Sequence, residues 1–358
     1  MSPDRNTLVL ASGASNWVSL PLDADQVNPR PLTLPADFPF LAKLNGSEDS
    51  VFNGNIVAAE WARDNEHLLL ELQSADGATT AWFLLNVKDP AHSLNLTSVF
   101  STDFSSVKIA DHSASVLLVV TGGDLRRIDV SSRQLSAVLV PSVTDYDYYD
   151  STIVFSAKSS DAAASAPVAN TVSSDNPASS TDSTEPSAAT PYYVGTIRYG
   201  DAAPKSLLGV AAPVEVAIGK FYEDEYIAVL NGTNLSFYKR SDFSPLFSDE
   251  LDFSPTTLKV GKNGEFVAAY TDGLAIATAD LEARLVTKWS ASSREFGWLD
   301  GHMVYSVADG TLSVYDFDGE NHRTLCSNVS SRFPVTISAD KWLYYFSDGT
   351  LTRERVAD

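Results

Sequence analysis

A polar turn, a short apolar run, a glycine-containing turn and an alternating strand close the chain as "DKWLYYFSDGTLTRERVAD" (340–358). The same order of hydrophobic and polar positions recurs upstream in "LDGHMVYSVADGTLSVYDFDG" (299–319), "GKNGEFVAAYTDGLAIATAD" (261–280) and "YEDEYIAVLNGTNLSFYKR" (222–240). It is present again in "ADHSASVLLVVTGGDLRRIDV" (110–130) and "ARDNEHLLLELQSADGATTAWFLLNV" (62–87); a copy without its glycine turn is "YYDSTIVFSAKSS" (148–160). The polar turns fall at Asp64, Asp111, Asp150, Asp224, Asn263, Asp300 and Asp340. Their usual spacing of roughly 40 residues is that of four-stranded propeller blades. The interval from Asp150 to Asp224 is longer by about the length of residues 159–191.

Each strand of a unit has its own signature. The second is a nearly continuous apolar run, as expected of a strand buried on both faces. The third follows an Asp-Gly, Asn-Gly or Gly-Gly turn, a strong hairpin signal. First strands precede the polar turn, as in "NIVAAEWA" (55–62) and "VEVAIGKF" (214–221), and more polar fourth strands close the unit, as in "SLNLTSV" (93–99) and "QLSAVLV" (134–140). No segment sustains an i, i+3, i+4, i+7 pattern, so helix should be minimal.

These seven units predict an all-β fold: a single domain over 1–358, a seven-bladed β-propeller of four-stranded antiparallel blades. The last unit supplies only "PVTISA", "KWLYYFS" and "TLTRERV". Residues 1–54, which include "NTLVLAS" (6–12), "NWVSLPLD" (16–23) and "RPLTLP" (30–35), are expected to close the ring by pairing with that C-terminal blade. They hold more strand than one vacancy needs, which makes eight blades the alternative. Residues 159–191 are Ser, Ala, Thr, Pro and Asp with almost nothing to bury, and read as a disordered loop inserted within one blade.

The units carried by "SADKWLYYFSDGTLTR" (338–353) and "GKNGEFVAAYTDG" (261–273) resemble the repeats of the WD40/TolB-like class of bacterial β-propellers. The chain also resembles the C-terminal propeller that follows a PEGA domain in membrane-anchored bacterial proteins. That resemblance implies an extracytoplasmic module on an anchor upstream of Met1, with no known catalysis.

Composition narrows the partners. Against 25 Lys and Arg stand 46 Asp and Glu, a formal charge of −21. Such a field repels phosphate backbones and anionic lipid surfaces, so nucleic acid is not an expected partner. No apolar run approaches the length that spans a bilayer, so direct membrane insertion is not expected. The single cysteine, Cys326, leaves no intramolecular disulfide and no Cys/His zinc cluster. The five histidines show no metal-binding spacing, and no nucleophile elbow or phosphate-binding glycine loop occurs. No catalytic residue, cofactor or metal is therefore assigned, and the chain is expected to be a monomer.

The candidates that remain belong to binding. In "TDYDYYD" (144–150) a strand would put Asp145, Asp147 and Tyr149 on one face. On an innermost strand these carboxylates would line the propeller channel and attract a cation or a basic ligand. Trp61 and Trp298 fall near the ends of first strands, where exposed aromatics stack on sugars or anchor peptides. The leading expectation is a non-catalytic binding or scaffolding propeller taking a protein or glycan at one mouth. The alternatives are a carbohydrate-active hydrolase or lyase using channel carboxylates, and a structural cell-surface spacer.

Overall fold

The computed structural model describes residues 2–12, 16–22, 28–43, 50–159, 191–221, 224–261, 266–271, 275–290, 295–299, 303–330, 335–337 and 342–355. Within them the chain builds eight successive antiparallel sheets, six of four strands, with three strands in the first and last. The fold is an all-β propeller of eight blades, so the alternative count holds and the count of seven is corrected. The blades span 7–31, 54–95, 106–135, 143–210, 215–250, 257–290, 295–326 and 336–355, and a small hairpin joins the first to the second.

The extra blade comes from the N-terminal stretch. Thr7–Ser12, Asn16–Pro21 and Arg30–Pro31 pair with one another and form a sheet of their own. Among the described residues none of them pairs with Thr350–Arg355, so the expected backbone closure is also corrected. Contact with the last blade is made by side chains instead. Leu8, Leu20 and Leu22 bury against Tyr344, with Trp342 and Leu351 beside them.

Contacts divide the chain into two compact units: Met1–Leu139 with Ser292–Tyr315 and Asn321–Asp358, and Val140–Ala291 with Asp316–Glu320. In the first unit the second strand of blade two, His67–Ser74, shows how one apolar run serves two neighbours. Leu68, Leu70 and Leu72 join Trp17, Phe38, Phe52 and Phe83 on the side of blade one. Leu69 joins Trp82, Leu84, Leu117 and Val119 on the side of blade three. Alternation on the strand sends successive side chains to opposite faces, and each buried leucine contributes about 1.5–3 kcal/mol relative to exposure. The second unit repeats the scheme. Val154 and Val194 of blade four meet Val216 and Val229 of blade five, while Ala228, Leu235 and Phe237 meet Val267 and Ala277 of blade six.

Two of the periodic turn acids, Asp64 and Asp111, bind backbone. Asp64 Oδ1 accepts from the N–H groups of Glu66 and His67 at 2.8 and 3.0 Å, and Asp111 Oδ1 accepts from Val116 N–H at 3.1 Å. Burial pushes the Asp64 carboxyl up, but the His67 ring and the two backbone donors outweigh it and hold it below the usual range. Asn263, Asp300 and Asp340 lie outside the described residues, as do residues 160–190 of the low-complexity segment. Its flanks are direct cross-strand partners, Lys158 opposite Tyr192, in the second and third strands of blade four.

Two fourth strands depart from expectation: in "QLSAVLV" only Gln134–Leu135 is strand. In "SLNLTSV" only Leu94–Asn95 is strand, and Leu96–Phe100 is a helical turn. Asn95 starts it: its Oδ1 accepts from Ser98 N–H at 3.0 Å while its Nδ2 donates to the Asp37 carbonyl at 2.7 Å. An N-cap of this kind satisfies one of the donors that the first helical turn leaves without a partner.

Candidate functional site

The first strands carry a recurrent link between neighbouring blades. In blade four, Asp145 Oδ2 accepts from Val216 N–H of blade five at 2.7 Å, and Asp147 Oδ2 accepts from Ile218 N–H at 3.0 Å. The same donors recur one blade on, where the Leu258 backbone N–H donates to the Glu215 carboxylate. In the other unit Glu60 of blade two receives Ile109 N–H of blade three at 3.4 Å. An innermost strand pairs on one side only, so alternate N–H groups have no ladder partner. Carboxylates from the preceding blade supply it.

This arrangement determines where the expected channel residues stand. Asp145 and Asp147 share one strand and are both used as acceptors for backbone. Tyr149, on the same face, packs half-buried against the cluster of Val154, Val194 and Val216. Burial, followed by the charge of Asp147 and by Tyr149, pushes the neighbouring Tyr226 phenol up. Trp61 packs against the core shared by blades one and two. Trp298 lies half-buried on the first strand of blade seven, with its indole N–H enclosed and without a hydrogen-bond acceptor.

A different feature has the dimensions of a ligand site. Within the first unit a cleft of about 690 Å³ opens between blades one and two, in the range of small-molecule pockets. Blade one gives Ser19, Pro21, Arg30 and the extended Leu32–Pro35 segment, and blade two gives Asn65 and the connection 87–91. The walls are tied at several points. Asn65 Oδ1 accepts from Asp4 N–H at 2.9 Å, and Asn86 Oδ1 accepts from the N–H groups of Lys88 and Asp89. Lys88 pairs with Glu66 at 2.5 Å, and Asp89 with His92 at 2.7 Å. Arg30 is exposed and has no ionic partner among the described residues. The lining thus combines proline and leucine surface with one uncommitted guanidinium and several hydroxyl and amide groups.

Sequence reasoning did not single out Arg30, Asn65, Lys88 or Asp89. The available signal was the proline-flanked arginine in "NPRPLTLP" (28–35), a segment read only as a closing strand. Among the described residues no group of three or more His, Cys, Asp and Glu is placed to hold a metal. No described helix is long and apolar enough to cross a membrane.

No protein-family model matches the chain, and a comparison with curated protein sequences finds no match. Solved structures do match in shape. Against a chain of a mitotic checkpoint complex the TM-score is 0.50 at 14% identity, covering 91% of this chain and 100% of that one. An oligogalacturonate lyase in complex with manganese gives 0.51 at 13% identity, covering 99% and 97%. Kluyveromyces lactis Hsv2 gives 0.50 at 8% identity, covering 100% and 98%. At these identities the likeness shows a fold, a β-propeller, which supports many activities.

Proposed function

We propose that this chain is a non-catalytic binding propeller whose ligand, a protein or a glycan, seats in the cleft between blades one and two. The observation that carries the reading is the cleft itself, with Arg30 uncommitted at its wall and hydroxyl and amide groups of Thr7, Ser19, Thr33 and Asn65 around it. Such a mix binds through a few placed polar groups on an apolar floor. Protein recognition at propeller surfaces is common, and loops carried by a rigid scaffold are suited to it.

The reading extends to context. The repeats' resemblance to TolB-like units, and the chain's to a propeller following a PEGA domain, support an extracytoplasmic module of a longer bacterial envelope protein. Fractionation of the native cells with an antibody to the propeller checks this: recovery in the envelope fraction agrees, and recovery in the cytosol refutes it.

The binding reading is tested by glycan and peptide arrays on the purified chain, with Thr33→Trp to fill the cleft and Arg30→Glu to reverse its charge. Probes captured by the wild type should be lost by Thr33→Trp and weakened by Arg30→Glu. Retention of every captured probe by Thr33→Trp would remove the cleft from the reading. Turnover on a panel of glycans, with no captured probe, would replace binding by catalysis.

A further inference from the structure

Of the charged groups lining the cleft between blades one and two, only Arg30 has no ionic partner among the described residues. Lys88 is held by Glu66, and Asp89 by His92. The amide acceptor is also taken. Asn65 Oδ1 receives Asp4 N–H at 2.9 Å, which leaves Nδ2 as the group that Asn65 can offer. A ligand therefore meets donors, a whole guanidinium and an amide, together with the hydroxyls of Thr7, Ser19 and Thr33.

The backbone adds one more donor. Arg30 and Pro31 pair with Ser19 and Val18, and Leu32 N–H donates to the Trp17 carbonyl at 2.8 Å. Along this stretch alternate residues turn their backbone groups away from the paired strand. Those outward positions are Pro29, Pro31, Thr33 and Pro35. Three lack an N–H, which bars a regular ladder with a further strand. Thr33 N–H, without a partner among the described residues, is the one donor left. Side-chain alternation puts Arg30 in line with Leu32 and Leu34, which both join the core shared with blade two. The guanidinium thus ends an apolar row that Pro35, Val87 and Pro90 continue in the cleft. No aromatic ring is among the described lining residues, so the platform on which sugars stack is missing.

We propose that the occupant of this cleft is an acidic segment of a partner protein, seated by one carboxylate on Arg30 with an adjoining apolar side chain on the row of Leu34, Pro35, Val87 and Pro90. This occupant presupposes that the cleft is the binding site, and gives that site's ligand a class. A carboxylate is acceptor-only and matches the guanidinium fork with two parallel hydrogen bonds. Thr33 N–H and the Asn65 amide remain for main-chain carbonyls of the segment. The formal charge of −21 does not oppose the contact at close range, because exposed charges beyond about 8 Å are largely screened at physiological ionic strength.

The probe is a labelled peptide pool, Gly-Ser-X-Glu-Leu-X-Ser-Gly, blocked at both ends, with X drawn equally from Ala, Ser, Thr and Val. It is titrated with the full chain and followed by fluorescence anisotropy. Saturable binding is expected, at least about tenfold weaker when Gln replaces Glu, and weaker also when Ser replaces Leu. Arg30→Gln should erase the preference for Glu over Gln, and Arg30→Lys should keep part of it. Thr33→Trp should abolish binding of every pool. Equal binding of the Glu and Gln pools, or a preference for Glu that survives Arg30→Gln, would overturn the proposal. So would capture of an oligouronide or a neutral oligosaccharide, lost in Thr33→Trp, with no peptide pool bound; the cleft would then stand as a site for a glycan. If no peptide or glycan probe responds to Thr33→Trp, the cleft and its peptide ligand fall together.

Discussion

The carboxylate of Asp145 and the backbone N–H of Val216, 71 residues further along, meet at 2.7 Å across the boundary of blades four and five. Asp147 and Ile218 repeat the contact two residues on. The spacing of two follows from the strand: alternate side chains point one way, and alternate N–H groups of the receiving strand lack a ladder partner. The pair therefore stands in for a strip of sheet between blades that share no backbone ladder.

Removing either acceptor should cost stability. A hydrogen bond to a charged group contributes about 1.5–3 kcal/mol, and an orphaned buried N–H adds to the loss. Asp145→Ala and Asp147→Ala should each lower unfolding free energy by that order in urea titrations. Asparagine retains an oxygen acceptor, so Asp145→Asn and Asp147→Asn should lose less. Alanine variants within about 0.5 kcal/mol of wild type, the range of an uninvolved surface position, would show that the contacts do not hold the blades.

Glu215 gives the opposite sign. Burial and then the Asp145 charge push its carboxyl up, and the Leu258 N–H only partly offsets them. With its folded pKa above the unfolded one, the folded state takes up the proton more readily. Stability from this group rises as pH falls through the raised pKa and is withheld at neutral pH. Glu215→Gln, which keeps an acceptor for Leu258 and discards the charge, should match or exceed wild-type stability at pH 7. The difference should vanish below the unfolded glutamate pKa of about 4.3. Urea midpoints measured across pH check both statements; a variant destabilised at pH 7 would refute them.

These contacts separate what the sequence discloses from what it withholds. The second strands are legible because burial on both faces leaves an uninterrupted apolar run, such as Leu68–Leu69–Leu70. Asp-Gly turns such as Asp309-Gly310 are legible because two positive φ angles are required and few residue pairs adopt them. The first blade is not, because its third strand is only Arg30–Pro31 and it lacks the turn acid of the repeat. Asp145 and Asp147 could be seen to share a face, but their partners are backbone groups, which have no signature in side-chain identity. The cleft needs Arg30 beside Lys88, a juxtaposition that only folding creates.

Cys326 should be a poor nucleophile. Burial, followed by the charge of Glu354, pushes its thiol up to about 11, although the Tyr345 contact works the other way. Because the thiolate is the reactive species, disulfide-exchange labelling at pH 8 should run about a hundredfold slower than for an ordinary cysteine. Unfolding in guanidinium should restore the ordinary rate, and Glu354→Gln should raise the native rate. Labelling of the native chain at the unfolded rate would place this thiol in a different environment.

Gly195 tests how tightly blade four is packed. It lies on the third strand, Tyr192–Arg198, where the register against the fourth strand shifts between Val194 and Gly195. A Cβ there would stand 2.6 Å from Phe155 Cζ and 2.8 Å from the Lys205 carbonyl oxygen. Phe155 is fully buried and edge-on to Tyr193, so its ring has little room to withdraw. The carbonyl belongs to the adjoining strand and can move only with the sheet. Gly195→Ala should therefore lower stability by about 1–3 kcal/mol, the usual cost of overpacking. Phe155→Leu should also destabilise, by leaving a cavity. In the double variant the leucine vacates the space the alanine needs, so the two losses should sum to less than their parts. The Lys205 clash persists, which limits the rescue to a fraction. Strict additivity in a double-mutant cycle would show that Phe155 is not what excludes a side chain at this position.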